Sequence, residues 1–230
     1  MILKAILTGM FDSNCYILGD NGEAAVIDPG ADVEDIARIL VEHALKLKYI
    51  ILTHAHIDHI AEVDNLRSTL GGKTVVHEDD APLLGDQMLN GSALFGRSRT
   101  FSMADTLVRD GDILELGKAK LSIIHTPGHT PGGMCILAKD GTDDEGSMSQ
   151  ISNYGRQEED EGGGLGKGCI FTGDTLFRMS IGRTDLGAGD QGKITASLRR
   201  LMKLDGALKV YPGHGPSTTI DFERKNNPWL

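Results

Sequence analysis

The sequence predicts an α+β fold in which two similar halves pack sheet to sheet, with helices outside. Three observations predict it. Short apolar runs bounded by glycine, proline, asparagine and aspartate recur through the 230 residues. Strands open each half and a strand–helix alternation follows. Hydrophobic residues make up 40% of the chain and charged residues 24%, the balance of a globular protein long enough for a substantial core.

The elements follow in order. Ile2 to Leu7, Cys15 to Leu18 and Ala24 to Ile27 read as strands, joined by the turns Phe11 to Asn14 and Gly19 to Gly22. Asp28-Pro29-Gly30 stops the third strand. Asp32 is the expected cap of a helix whose Val33, Ile36, Ala37, Leu40 and Ala44 share one face. Tyr49 to Leu52 is a buried strand. Ala61 to Leu70 reads as a helix closed by Gly71-Gly72, and Thr74 to His77 as a strand. Glu78 to Leu84 makes one or two helical turns. Residues 85–104 have no period and form a candidate active-site loop. Ile113 to Leu116, Leu121 to Ile124, Met134 to Leu137 and Ile170 to Thr172 are the strands of the second half. Ile194 to Lys203 is a helix, Lys209 to Tyr211 a strand, and Ser217 the expected cap of a last helix through Lys225.

The formal charge of −10 is uneven, because residues 140–161 hold eight acids and one base. The glycine-rich, acidic segment 140–166 reads as a solvated insertion in a single domain spanning 1–230. No basic stripe offers itself to nucleic acid, and no apolar run approaches the ~18 residues that span a bilayer. The first ten residues read as a strand, not a secretory signal. Cys15, Cys135 and Cys169 are odd in number and widely spaced, which fits buried thiols in a reducing compartment. The expected location is cytoplasmic.

Chemistry concentrates in Thr53-His54-Ala55-His56-Ile57-Asp58-His59, directly after a buried strand. Two histidines two apart project to one side of an extended segment. Asp58 and His59 come after the chain begins to turn, so they aim elsewhere. His129, Asp174 and His214 each follow an apolar strand and sit beside glycine, which lets backbone come close to an ion. These seven donors match what two ions need when one carboxylate bridges them and a water completes the set. His43, His77 and His125 read as structural.

His54-x-His56-x-Asp58-His59, then His129, Asp174 and His214 in that order, resemble the metallo-β-lactamase superfamily. The resemblance implies an αββα four-layer sandwich with a dinuclear site at one edge. It implies that His54, His56 and His129 hold one metal, that Asp58, His59 and His214 hold the other, and that Asp174 bridges. Asp28 would support the ligating imidazoles from behind. Gly173 to Phe177, Ser180 to Asp185, Tyr211 to Pro216 and the ending Asn227-Pro228-Trp229-Leu230 resemble the short glyoxalase II-like (hydroxyacylglutathione hydrolase-like) branch. Full-length glyoxalase II continues into a helical domain and uses lysine and tyrosine contacts to glutathione where this chain has Gly182-Arg183-Thr184-Asp185. Both departures weaken an expectation of glutathione specificity.

The expected function is thus metal-dependent hydrolysis of a small thioester, with a metal-bridging hydroxide as nucleophile and Asp58 as the residue that orients it and takes its proton. Two divalent ions are the expected cofactors, zinc first, with iron or manganese compatible with the same donors. Arg183 is a candidate for a substrate carboxylate. Persulfide dioxygenases resemble the chain in the first cluster and the Gly-Arg-Thr-Asp stretch but use one iron. Gly213-His214-Gly215-Pro216 looks more like the dinuclear hydrolases. A β-lactamase is disfavoured by Asp174, where many of those enzymes have cysteine. A non-catalytic metal-binding scaffold is disfavoured by the complete ligand set.

Overall fold

The computed structural model describes residues 1–9, 11–139, 151–154, 168–186 and 188–230, the stretch 151–154 by its backbone alone. The chain runs β1 (Ile2–Leu7), β2 (Asn14–Asp20), β3 (Glu23–Ile27), α1 (Val33–Glu42), β4 (Lys46–Ile51), α2 (Ile57–Ile60), α3 (Val63–Leu70), β5 (Lys73–His77) and α4 (Ala81–Leu84). It continues through β6 (Thr106–Val108), β7 (Ile113–Leu116), β8 (Ala119–His125), β9 (Met134–Lys139), β10 (Ile151–Tyr154), β11 (Cys169–Gly173), β12 (Leu176–Phe177) and β13 (Ser180–Ile181). It ends with α5 (Gln191–Leu201), β14 (Lys209–Pro212), β15 (Thr218–Thr219) and α6 (Ile220–Asn226).

One mixed sheet has the strand order β10-β1-β2-β3-β4-β5-β6, and the second the order β15-β14-β11-β9-β8-β7. Period-two alternation sorts the side chains. In β3, Ala25 and Ile27 face the opposite sheet while Ala24 and Val26 face α1 and α3. In β9, Met134, Ile136 and Ala138 face the first sheet while Cys135 and Leu137 face α5. Both faces of these strands are covered, which is why they read as unbroken apolar runs. The layers are therefore helix, sheet, sheet, helix, as the sequence predicts.

Several local expectations are corrected. Asp32 occupies the cap position of α1, but its side chain makes no capping hydrogen bond. Ala44 lies past the helix, at φ +51, where the chain reverses so that Leu45 packs on the core instead. The helix expected from Ala61 begins instead at Val63, after Glu62, whose N–H donates to the Pro29 carbonyl at 2.9 Å, and the short α2 precedes it as a separate turn. Asp190 caps α5 by accepting from the Lys193 N–H, so that helix starts three residues before Ile194. Thr219, not Ser217, caps α6, accepting from the Phe222 N–H. Ile151–Tyr154 falls within the segment expected to be solvated, yet its backbone adds a parallel edge strand beside β1. The rest of that acidic insertion lies outside the described residues.

The loop after β8 rests on the start of α5. The Gly128 carbonyl accepts from the Asp190 N–H at 2.7 Å. Gly128 has φ +141, and a Cβ there would collide with the backbone of Ile194. Gly128→Ala is expected to destabilise the protein by about 1–3 kcal/mol, because neither partner can give way. Urea unfolding measures this, and an unchanged midpoint would contradict the packing described.

Candidate metal centre

Loops leaving β4, β8, β11 and β14 meet at one edge of the sandwich. After β4 the chain bends at Thr53 and His54, is extended at His56, with φ −83 and ψ 148, and then turns into α2. His54 and His56 therefore precede the helical turn that carries Asp58 and His59. Backbone hydrogen bonds lock the loops together. Met134 N–H donates to the Thr53 carbonyl, Gly213 N–H to the Gly173 carbonyl, and Asn14 N–H to the Gly213 carbonyl.

All seven predicted donors converge. His54, His56 and His129 form one group and Asp58, His59 and His214 another, each with its donor atoms within 4.8 Å of one another. His56 Nδ1 stands 2.8 Å from His129 Nε2, and His59 Nε2 stands 3.2 Å from His214 Nε2. Asp174 lies between the groups. Its Oδ2 is 3.5 Å from both His129 Nε2 and His214 Nε2, and its Oδ1 is 3.3 Å from His59 Nε2.

The outer ring nitrogens are pinned, which settles what the inner ones do. His129 Nδ1 donates to the Arg183 carbonyl at 2.7 Å, and His214 Nδ1 to the Phe11 carbonyl at 3.1 Å. Asp28 is buried and held at φ +54. It accepts from the Thr53 N–H and hydroxyl, both at 2.7 Å, and from His59 Nδ1 at 3.1 Å. His54 Nδ1 donates in turn to the Thr53 hydroxyl, at 3.1 Å. Asp28 is thus saturated with donors and stands behind His59 directly and behind His54 through Thr53.

A divalent ion fits these residues. Bonds of 2.0–2.1 Å place neighbouring donors roughly 3.3 Å apart in a tetrahedron, close to the observed separations. His54 Nε2 and Asp174 Oδ1 are buried without a hydrogen-bond partner, a costly state that an ion relieves. The electrostatics agree. Burial, then the neighbouring His59, pushes His54 well below the usual histidine range, so its nitrogen is a free lone pair. Burial opposes charge on His59 too, but Asp58, Asp174 and Asp28 outweigh it and raise that imidazole. Burial is likewise outweighed at Asp58 and Asp174, whose carboxyl groups His59 and His214 hold below the usual range. Three carboxylates in this space demand positive charge.

Two features escaped the sequence reading. Asp80 is buried and joins the two histidine loops, accepting from the Ala55 N–H at 3.0 Å, the Thr130 hydroxyl at 2.8 Å and the Gly132 N–H at 2.6 Å. In the sequence it lies unmarked within Glu78 to Leu84, a stretch expected to make one or two helical turns. Gly213 is the second: a Cβ there would meet Asp174 Oδ1 and His59 Cε1. Arg183 is exposed, and its guanidinium pairs with Asp185 at 2.6 and 2.9 Å. Within the 85–104 loop, the Arg99 guanidinium lies over the Phe101 ring, 5.0 Å from its centroid. His77, Asp79 and His125 form a further group, but the two imidazoles stack at 15° with centroids 3.9 Å apart. Parallel rings point their in-plane lone pairs side by side, so this group suits packing, as expected of His77 and His125.

Asp80→Asn is expected to cost about 1–3 kcal/mol, since an amide N–H would replace an acceptor facing buried donors. It should also weaken divalent-metal retention, because His56 and His129 ride on the loops Asp80 joins. Urea unfolding and competition with a chelator measure the two effects. A variant equal to the parent in both would remove Asp80 from the account.

Comparison with known proteins agrees with this geometry. Residues 8–143 and 163–214 match the family model described as metallo-beta-lactamase superfamily. The chain is 30% identical to hydroxyacylglutathione hydrolase GloC of Haemophilus influenzae, over all of this chain and 98% of that one. It is similar to the crystal structure of BLEG-1 B3 metallo-beta-lactamase, at 36% identity and TM-score 0.81 over 99% of each chain. It is also similar to the crystal structure of TTHA1623 in a di-iron-bound form, at 30% identity and TM-score 0.76 over 98% and 99% of the two chains. With the fold, the donor order and the family match in agreement, the chain belongs to the metallo-beta-lactamase superfamily.

Proposed function

We propose that the protein is a metal-dependent hydrolase acting on small thioesters, hydroxyacylglutathione-type compounds among them. The observation that carries this reading is the convergence of seven donors, two of whose buried atoms, His54 Nε2 and Asp174 Oδ1, lack a hydrogen-bond partner. His54, His56 and His129 would hold one divalent ion, Asp58, His59 and His214 a second, and Asp174 lies where it could serve both. Zinc is our assignment, and the di-iron form of TTHA1623 makes iron the first alternative. Bound divalent ions lower the pKa of a water from 15.7 towards ~7 and polarise a carbonyl.

The chain's own residues supply orientation and proton handling. Asp58 is kept ionised beside His59 and His214, 3.3 and 3.2 Å away. Its carboxylate aligns the attacking water and takes its proton. Asp28 keeps the His59 ring in one tautomer through the reaction. The leaving group is a thiolate, whose parent thiol has a pKa of ~8.5, so no further acid is required. Arg183 is assigned a substrate carboxylate, for which it would exchange Asp185. The name of the Haemophilus influenzae relative supports the thioester reading. Likeness to BLEG-1 supports a second reading, hydrolysis of a β-lactam amide.

Protein reconstituted with zinc is expected to hydrolyse S-lactoylglutathione, to lose turnover to a chelator and to recover on re-addition of metal. Asp58→Ala should lower kcat/KM by about 10²–10⁴. A parallel assay with a chromogenic cephalosporin separates the two readings. An Asp58→Ala protein as fast as its parent would refute the scheme.

A further inference from the structure

We propose that the substrate carries an apolar or aryl group next to its scissile bond, and that this group packs on an aromatic pair, Phe11 and Phe95, bordering His214. The proposal deepens the hydrolase reading above and rests on it.

The two rings come from loops far apart in sequence, yet their centroids are 4.7 Å apart and tilted by 53°. Both remain exposed, Phe11 by 53% and Phe95 by 49%. Two aromatic rings that pack together without being buried are an unusual expense of apolar surface, and such patches mark binding sites. The pair is contiguous with the centre. The Phe11 carbonyl accepts from His214 Nδ1, and Phe177 stands edge-on to the His214 ring with centroids 5.8 Å apart. The loop that carries Phe95 is tied to the histidine stretch, because the Ile57 N–H donates to the Asn90 carbonyl at 2.9 Å.

Both loops are built to hold this arrangement. Phe11 and Asp12 take left-handed conformations at φ +57 and +54, which a bulky side chain rarely adopts. The strained turn is held by Thr8 N–H donating to the Ser13 carbonyl, by the Thr8–Ser13 hydroxyl contact and by the Ser13–His214 bridge. On the other side, buried Asn90 braces its loop through the Ser92 N–H and the Arg99 carbonyl. Strain retained at the rim of a site, in a conformation that exposes an aromatic ring, fits a preformed contact for substrate. The sequence marks residues 85–104 as a candidate active-site loop. The apolar surface beside His214 selects for a phenyl or alkyl substituent.

The test compares S-lactoylglutathione with S-mandeloylglutathione, which replaces the lactoyl methyl by phenyl, and with the lactoyl thioester of benzyl mercaptan. The second and third place the aryl group on the acyl or the thiol side. One of the aryl thioesters should exceed S-lactoylglutathione in kcat/KM by about tenfold, the scale of burying one aromatic group. Phe95→Ser should bring that ratio towards one. Saturation-transfer NMR on metal-free protein reads the contact without turnover. The aryl protons should receive saturation from the parent and lose it in the Phe11→Ser, Phe95→Ser double variant. Equal ratios in parent and variant overturn the proposal, as does a dimer that the double variant dissociates, because a second copy would then cover the pair. If no thioester is hydrolysed, the hydrolase reading fails and the saturation transfer alone decides the contact.

Discussion

Buried imidazole nitrogens and carboxylate oxygens that face one another are unstable company unless positive charge lies among them. That constraint governs this molecule. Five histidines and two aspartates meet at one edge of the sandwich, and two of their atoms, His54 Nε2 and Asp174 Oδ1, make no hydrogen bond there. The fold holds the donors together against their own desolvation cost. It does so with backbone hydrogen bonds and with two buried carboxylates, Asp28 and Asp80, placed behind the ligands.

Those two carboxylates divide the labour. Asp28 anchors the end of β3 to Thr53 and His59, and fixes the orientation of both groups of donors. Asp80 anchors the first histidine loop to the loop that carries His129. Burial raises the Asp80 carboxyl above the usual range even though it accepts three hydrogen bonds. One buried carboxyl that accepts from both loops makes their spacing depend on it.

The fold was legible where burial imposes a period. Strands covered on both faces announced themselves as apolar runs, and the donors were visible because four cluster directly after one such run and His129, Asp174 and His214 each follow another beside a glycine. The rest had no side-chain signature. The carbonyls of Arg183 and Phe11, which orient His129 and His214, are backbone atoms. Helix α2 is too short to show a period, and β6, β12 and β13 are two- or three-residue pieces set by tertiary packing. Asp80 lay unmarked within the helical turns expected over Glu78 to Leu84. Thr219 and Ser217 are equally good caps in isolation, and only the path from β15 into α6 decides between them.

Metal content tests the central claim most directly. Elemental analysis of the purified protein should find about two divalent ions per chain, and about one in each of His56→Ala and His214→Ala, one from each group of donors. Thermal melting should rise with loading in the parent, as ligand linkage requires. A parent that retains no metal after reconstitution, or single variants that retain as much as the parent, would contradict the account.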